Sequence, residues 1–214
     1  MNNELMTAEV AKKLLQINAI KLSPQNLFTW ASGIQSPIYC DNRKTLSYPR
    51  VRTFIKECLV EKSKAFGMFN MVAGVATAGI AHGALLADAL DLPFAYVRSS
   101  SKGHGLQNRI EGDVRGNERI LVVEDLISTG GSSLEAVQTL EALGCNIAGV
   151  IAIFTYSFDK SVQAFDEADC QLETLSNYDA LLTQALDIEY ITPIEAEQLK
   201  EWRKNFWFFI EICS

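Results

Sequence analysis

The densest chemistry in the chain lies in Ile120-Leu-Val-Val-Glu-Asp-Leu-Ile-Ser-Thr-Gly-Gly-Ser-Ser133. Four apolar residues lead into two adjacent acids, which are expected to end a buried strand, and a run of small residues then opens a helical pattern. At a helix start the backbone N–H groups of Ser128 to Ser132 lack intrahelical partners, and glycine lets them approach an anion closely, so the turn suits a phosphate monoester. The hydroxyls of Ser128, Thr129 and Ser132 add donors. Glu124 and Asp125 cannot touch that phosphate, because like charges at contact distance repel strongly in a poorly screened site. They need hydroxyl donors, and a ribose carries these close to its own 5′-phosphate. An acid pair beside a phosphate cradle therefore reads as a sugar-phosphate site. The alternative is a helix start whose acids merely favour the dipole. The chain has neither the G-x-x-x-x-G-K-[ST] loop of nucleotide triphosphatases nor the G-x-G-x-x-G dinucleotide turn.

A second stretch, Arg98-Ser-Ser-Ser-Lys-Gly-His-Gly-Leu-Gln-Asn-Arg109, carries Arg98, Lys102, Arg109 and His104, one of two histidines, and no acid. The whole chain has 19 Lys+Arg against 26 Asp+Glu, a net charge of -7, so this is a local reversal of sign. Its serines and glycines predict a mobile loop that closes over a polyanion, against the plainer reading of a solvated basic loop. A third piece, Ala73-Gly-Val-Ala-Thr-Ala-Gly79, offers more N–H groups at a strand-to-helix turn, although close helix-to-sheet packing explains its glycines equally well. His82 falls within a helical pattern and reads as structural.

The elements that must hold these pieces follow from the pattern of apolar residues. Short apolar runs at Met71 to Ala73, Phe94 to Val97, Ile120 to Val123 and Ala148 to Phe154 alternate with helical patterns at Ile80 to Leu90 and Ser133 to Leu143. Strands apolar at successive positions are buried on both faces, which predicts an α/β fold with a central, mainly parallel sheet flanked by helices. In such folds ligands sit at the carboxyl ends of the strands. Before Gly67, helical patterns at Glu4 to Ile17 and Val51 to Phe66 enclose two expected strands, Phe28 to Gly33 and Ser36 to Cys40, joined by a glycine turn and closed by Asp41 to Arg43. The expected division is an N-terminal part of helices and a small hood, 1–67, and an α/β core that binds the sugar phosphate, 68–214, within one compact catalytic domain.

At 214 residues and 48% hydrophobic, the chain can bury one good-sized core. Its negative field argues against nucleic acid and anionic membrane as partners. No basic flank precedes an apolar run at the N-terminus and no stretch approaches a membrane span, so a cytoplasmic location is expected. Cys40, Cys58, Cys145, Cys170 and Cys213 are odd in number and scattered, predicting free thiols and no zinc site.

The 122–132 segment resembles the phosphoribosyl diphosphate motif of the type I phosphoribosyltransferases. Three further stretches, Phe28-Thr-Trp-Ala-Ser-Gly-Ile-Gln-Ser-Pro-Ile-Tyr-Cys-Asp-Asn-Arg43, Gly74 to Ile80, and Tyr96 to Gly105 with Ile110-Glu-Gly112, are similar to the orotate phosphoribosyltransferases within that family. The resemblance implies transfer of a 5-phosphoribosyl group to orotate, giving orotidine 5′-phosphate and pyrophosphate. It implies that Glu124 and Asp125 hold the ribose hydroxyls, that Ser128, Thr129, Gly130, Gly131 and Ser132 seat the 5′-phosphate, and that Leu126 and Ile127 complete the donor site. Arg98, Lys102 and His104 would meet the diphosphate and, with Asp125, form the catalytic set. Ser128, Tyr39 and Cys40 would meet orotate. It further implies a magnesium ion held by ligand oxygens and water with no direct protein ligand, and a homodimer whose lid reaches the neighbouring active site. Two departures stand out: Ala31 and Ala78 occupy places where some members carry lysine, and Thr155 to Ser157 offer no match for an arginine said to meet the orotate carboxylate. Backbone amides of the hood, or Arg43, would have to replace those charges. A transcriptional sensor of the same donor would need a basic recognition helix that residues 1–67 lack, and a purine or uracil transferase would need a different hood.

Overall fold

The computed structural model describes residues 2–30, 33–98 and 109–206. The first helix, α1 (Asn3–Gln16), starts where the Asn2 side chain accepts from the Leu5 N–H, and it buries Met6, Val10, Ala11, Leu14 and Leu15 along one stripe. The hood follows as β1 (Ile20–Leu22), β2 (Phe28–Thr29), β3 (Gln35–Ser36) and β4 (Ile38–Cys40), then a 3-10 helix at Asn42–Ser47. Helix α2 (Pro49–Ser63) closes this part.

The core alternates β5 (Met71–Val75), α3 (Ala78–Leu90), β6 (Phe94–Val97), β7 (Ile110–Glu111), β8 (Arg119–Ile127), α4 (Gly131–Glu141) and β9 (Asn146–Thr155). It ends with α5 (Asp159–Glu167), β10 (Leu172–Asn177), α6 (Tyr178–Asp187) and α7 (Pro193–Lys204). One six-stranded sheet runs β10-β9-β8-β5-β6-β7 and is parallel throughout except where β7 turns back against β6. The expected α/β architecture is the one observed.

Strand residues alternate between two cores, as a period of two requires. Val72, Leu121, Val123, Ile151 and Ile153 face α1, α2 and α6, while Ala73, Ile120, Val122, Val150 and Ala152 face the side covered by α4. The ladder places the carboxyl ends of β5, β6, β8 and β9 along one edge, so Ala76, Arg98, Ser128 and Tyr156 all emerge there.

Two expectations need correction. The hood strand read as Ser36 to Cys40 is split at Pro37: Ser36 pairs with Phe28, whereas Ile38 to Cys40 pair with Ile20 to Leu22, a strand not foreseen. Proline has no N–H to continue one ladder, so the chain changes partner there. Strand β8 also runs past its acids, Leu126 and Ile127 still pairing with Phe154 and Thr155, so Glu124 and Asp125 lie inside the strand and not at its end.

Candidate functional site

Strand β8 delivers Glu124 and Asp125 toward the carboxyl edge of the sheet. Glu124 is 6% exposed, and its Oε1 accepts from the Asp125 N–H at 2.9 Å while its Oε2 accepts from the Ser133 hydroxyl at 3.4 Å. Burial and the neighbouring Asp125 carboxylate push the Glu124 carboxyl well above its usual range, and burial also raises Asp125. Two carboxyls held so closely bind a proton readily, and among the described residues few donors reach them.

After Ile127 the chain turns through Ser128 to Gly130 into α4. Gly130 has φ +84°, a left-handed conformation that side chains rarely adopt, and a Cβ there would lie 2.8 Å from the Phe165 ring. Among the described residues no side chain caps α4, so the N–H groups of its first turn are open to solvent or ligand. Ser128 and Thr129 are half-buried, Gly131 and Ser132 exposed. Leu126 faces the neighbouring cavity, but Ile127 is buried in the core, so any part it takes in ligand binding falls to its main chain.

Beside this turn lies a cavity of about 250 Å3 lined by Trp30, Tyr39, Cys40, Leu126, Ser128 and Tyr156. The structure thus brings together the three residues expected at the base, Ser128, Tyr39 and Cys40. Burial, ahead of the nearby Asp125 and Asp41, pushes the Cys40 thiol up, and burial keeps the Tyr156 phenol protonated. A volume this small suits a single flat ring better than a drug-sized ligand.

Trp30 and Tyr156 were missed from sequence. Their rings stack at 5.6 Å and 21°, and the Trp30 indole N–H donates to the Ile38 carbonyl at 2.9 Å. Behind them Trp202 and Phe206 complete an aromatic cluster. The 155–157 stretch therefore supplies a ring to the cavity where an arginine was sought. Neither residue forms a motif by itself. Trp30 lies within the 28–43 stretch that carries the family resemblance, but no role follows from its type there, and Tyr156 has no signal beyond its place after an apolar run.

At the far side, β6 and β7 pair on either side of the basic 98–109 segment, with Tyr96 opposite Glu111 and Val97 opposite Ile110. The Arg98 guanidinium meets Glu111 at 3.3 Å, and Arg109 meets Glu135 at 2.8 Å. Lys102 and His104, with the rest of 99–108, lie outside the described residues, as do Ala31 and the 207–214 tail. At the third turn the Ala76 N–H is spent on the Val97 carbonyl at 2.8 Å. A Cβ at Gly79 would overlap the Val123 carbonyl oxygen, so packing of α3 on β8 accounts for that glycine. His82 is buried on α3. Among the described residues Cys40, Cys58, Cys145 and Cys170 are free thiols, no cluster suits a protein-held metal ion, and no helix is long and apolar enough to cross a membrane.

Comparison with known proteins agrees with this geometry. Residues 44–180 match the phosphoribosyl transferase domain family. The chain is 54% identical over 198 residues to the orotate phosphoribosyltransferase of Listeria monocytogenes, covering 92% of this chain and 95% of that one. It is 55% identical over 196 residues to that of Bacteroides fragilis, covering 91% and 92%. The crystal structure of the Aeropyrum pernix orotate phosphoribosyltransferase superposes with a TM-score of 0.73 at 25% identity, covering 86% of this chain and 99% of that one. The chain belongs to the phosphoribosyltransferase family, among the orotate phosphoribosyltransferases.

Proposed function

We propose that the protein transfers the 5-phosphoribosyl group from 5-phospho-α-D-ribose 1-diphosphate to orotate, giving orotidine 5′-phosphate and pyrophosphate in pyrimidine biosynthesis. One observation carries this reading beyond family membership: Ser128 belongs at once to the small-residue turn suited to a phosphate and to the wall of a ring-sized cavity. A phosphorylated sugar and a flat acceptor would therefore meet within one residue's reach.

In this reading Glu124 and Asp125 accept from the ribose hydroxyls, which supply the donors the pair lacks. The turn from Ser128 to Ser132 holds the 5′-phosphate through main-chain N–H groups and hydroxyls. Tyr39 and Cys40 from the hood, with Ser128, hold the flat base, backed by Trp30 and Tyr156.

As the C1–O bond of the donor stretches, the ribose ring gains positive charge and the diphosphate negative charge. The Asp125 carboxylate lies on the side where positive charge grows. Arg98, Lys102 and His104 lie on the loop that meets the negative charge. Arg98 would exchange Glu111 for the diphosphate as the loop closes, and closure keeps water from the cationic sugar.

The donor set also fits magnesium. Glu124 and Asp125 present hard carboxylate oxygens at the binding edge, and they would hold the ion through the donor's hydroxyls and water. When bound, magnesium neutralises charge on the leaving diphosphate. The family resemblance supports a homodimer in which the loop of one subunit serves its neighbour, and a cytoplasmic setting.

The test is direct. Purified protein mixed with donor, magnesium and orotate should lose orotate absorbance and release pyrophosphate in equal amounts. Preferential use of uracil, adenine or hypoxanthine under the same conditions would overturn the assignment of the base.

A further inference from the structure

Asn42 is fully buried at the start of the 3-10 helix, two residues after Cys40 in the wall of the base cavity. Its side-chain amide donates to the Asp125 main-chain carbonyl at 2.7 Å. Strand β5 pairs with β8 only as far as Val123, so beyond that point β8 loses its neighbour on one edge, and Asn42 supplies a donor to the acid-bearing stretch. A second set of contacts fixes Asn42 itself. The Thr45 hydroxyl donates to the Asn42 carbonyl at 2.7 Å and lies 3.4 Å from His82 Nε2 on α3. The Thr45 proton is thus committed to Asn42, and α3 packs against the same turn through His82.

The remaining polar atom does not fit a purely structural role. Asn42 Oδ1 is buried and finds no hydrogen-bond partner among the described residues. Burying an unpaired acceptor destabilises a fold, and such groups concentrate where function demands them. An apolar residue would avoid that penalty but would leave the Asp125 carbonyl without its donor.

We propose that Asn42 is a positioning residue: it locks the hood that carries Tyr39 and Cys40 to the strand that carries Asp125, and so fixes the base relative to the ribose. This inference rests on the assignment of Asp125 to the ribose. Transfer between two bound groups depends steeply on their separation, and a displacement of about 1 Å costs on the order of 100-fold in rate. Binding of each substrate alone depends on its own half of the site. Loss of Asn42 should therefore lower kcat with little change in the affinity for either substrate.

Asn42→Ala should fold, bind donor in calorimetry within about threefold of the parent, keep a similar KM for orotate, and lose about 10- to 100-fold in kcat. Asn42→Asp should lose more, because a carboxylate cannot donate to the Asp125 carbonyl and adds a charge beside Asp41, Glu124 and Asp125. If Asn42→Ala fails to fold, Thr45→Val carries the test, since it releases the Asn42 turn while keeping the amide; the same fall in kcat at constant KM is expected, with smaller amplitude. A folded Asn42→Ala or, in its place, Thr45→Val enzyme with unchanged kcat overturns the proposal, as does a loss confined to substrate affinity. Asp125→Asn measured alongside separates the two ideas. Unaltered donor affinity in that variant would sink the ribose assignment, whereas impaired Asp125→Asn beside a normal Asn42→Ala would sink only the positioning role.

Discussion

Glu124 is placed against its own electrostatic interest. It shares a poorly solvated strand with Asp125, and burial plus its neighbour's charge raise its affinity for a proton. A carboxyl whose pKa is raised by folding stabilises the folded state while it stays protonated, and becomes a liability as pH climbs through that raised value. Glu124→Gln removes the liability and keeps a group able to accept from the Asp125 N–H and donate to Ser133. The unliganded variant should therefore be more stable by about 1–2 kcal/mol near pH 8, raising Tm by about 2–8 °C at this chain length. The gain should shrink as pH falls and the parent carboxyl takes up its proton. Donor affinity should fall at the same time. His82 works in the opposite sense: burial lowers its pKa to about 4 from an ordinary 6.5. Between those values the unfolded chain binds a proton that the folded one refuses, so stability is lost as pH drops from 6.5 toward 4, by on the order of 3 kcal/mol in all. Thermal melts of parent and Glu124→Gln from pH 4 to 8 should show both trends. An unliganded Glu124→Gln protein less stable than the parent at pH 8 would contradict the strained pair.

Among the elements, the turn into α4 depends on one glycine for two independent reasons. Gly130 combines φ +84° with a Cβ direction that meets the Phe165 ring at 2.8 Å. Gly130→Ala should lower stability by about 1–3 kcal/mol and weaken donor binding, because the turn must open either toward the ligand or away from α5; calorimetry and denaturant melts check both. This turn and the strand before it were legible in sequence because everything that defines them is local: four apolar residues, two acids, then small residues. Strands β5 and β9 were legible for the same reason, since a strand covered on both faces is apolar throughout. Strand β10, Leu172-Glu-Thr-Leu-Ser-Asn177, is half-exposed over its first three residues and carries little such signal. The pairing of β4 with β1 also escaped, because a three-residue strand is recognisable mainly by its partner. Trp30 and Tyr156 escaped for a related reason: each is an ordinary aromatic until the fold stacks one on the other in the wall of the cavity. Asn42 is the extreme case, its role set by a carbonyl on a distant strand.

For the molecule as a whole, the sheet supplies one binding edge and the charge supplies a contrast. A chain of net charge -7 must hold a highly anionic donor through local cations, and those expected to meet the diphosphate are concentrated in the segment from Arg98 to Arg109. If that loop serves the neighbouring subunit, each active site takes its acids and phosphate turn from one chain and its cations from the other. Lys102→Ala alone should then lower kcat by about 100-fold or more, the scale for losing one preorganised charge. Asp125→Asn should lose activity through the donor. In a mixed dimer of the two variants, one site combines the intact turn of the Lys102→Ala chain with the intact loop of the Asp125→Asn chain, while the other site carries both lesions. Free exchange of an equal mixture makes about half the dimers mixed, so about a quarter of all sites should regain parental activity. If each site were instead built from a single chain, every site in every dimer would keep one lesion. The mixture would then be no more active than the average of its parts, even after mass spectrometry of the intact dimers had shown that subunits exchange.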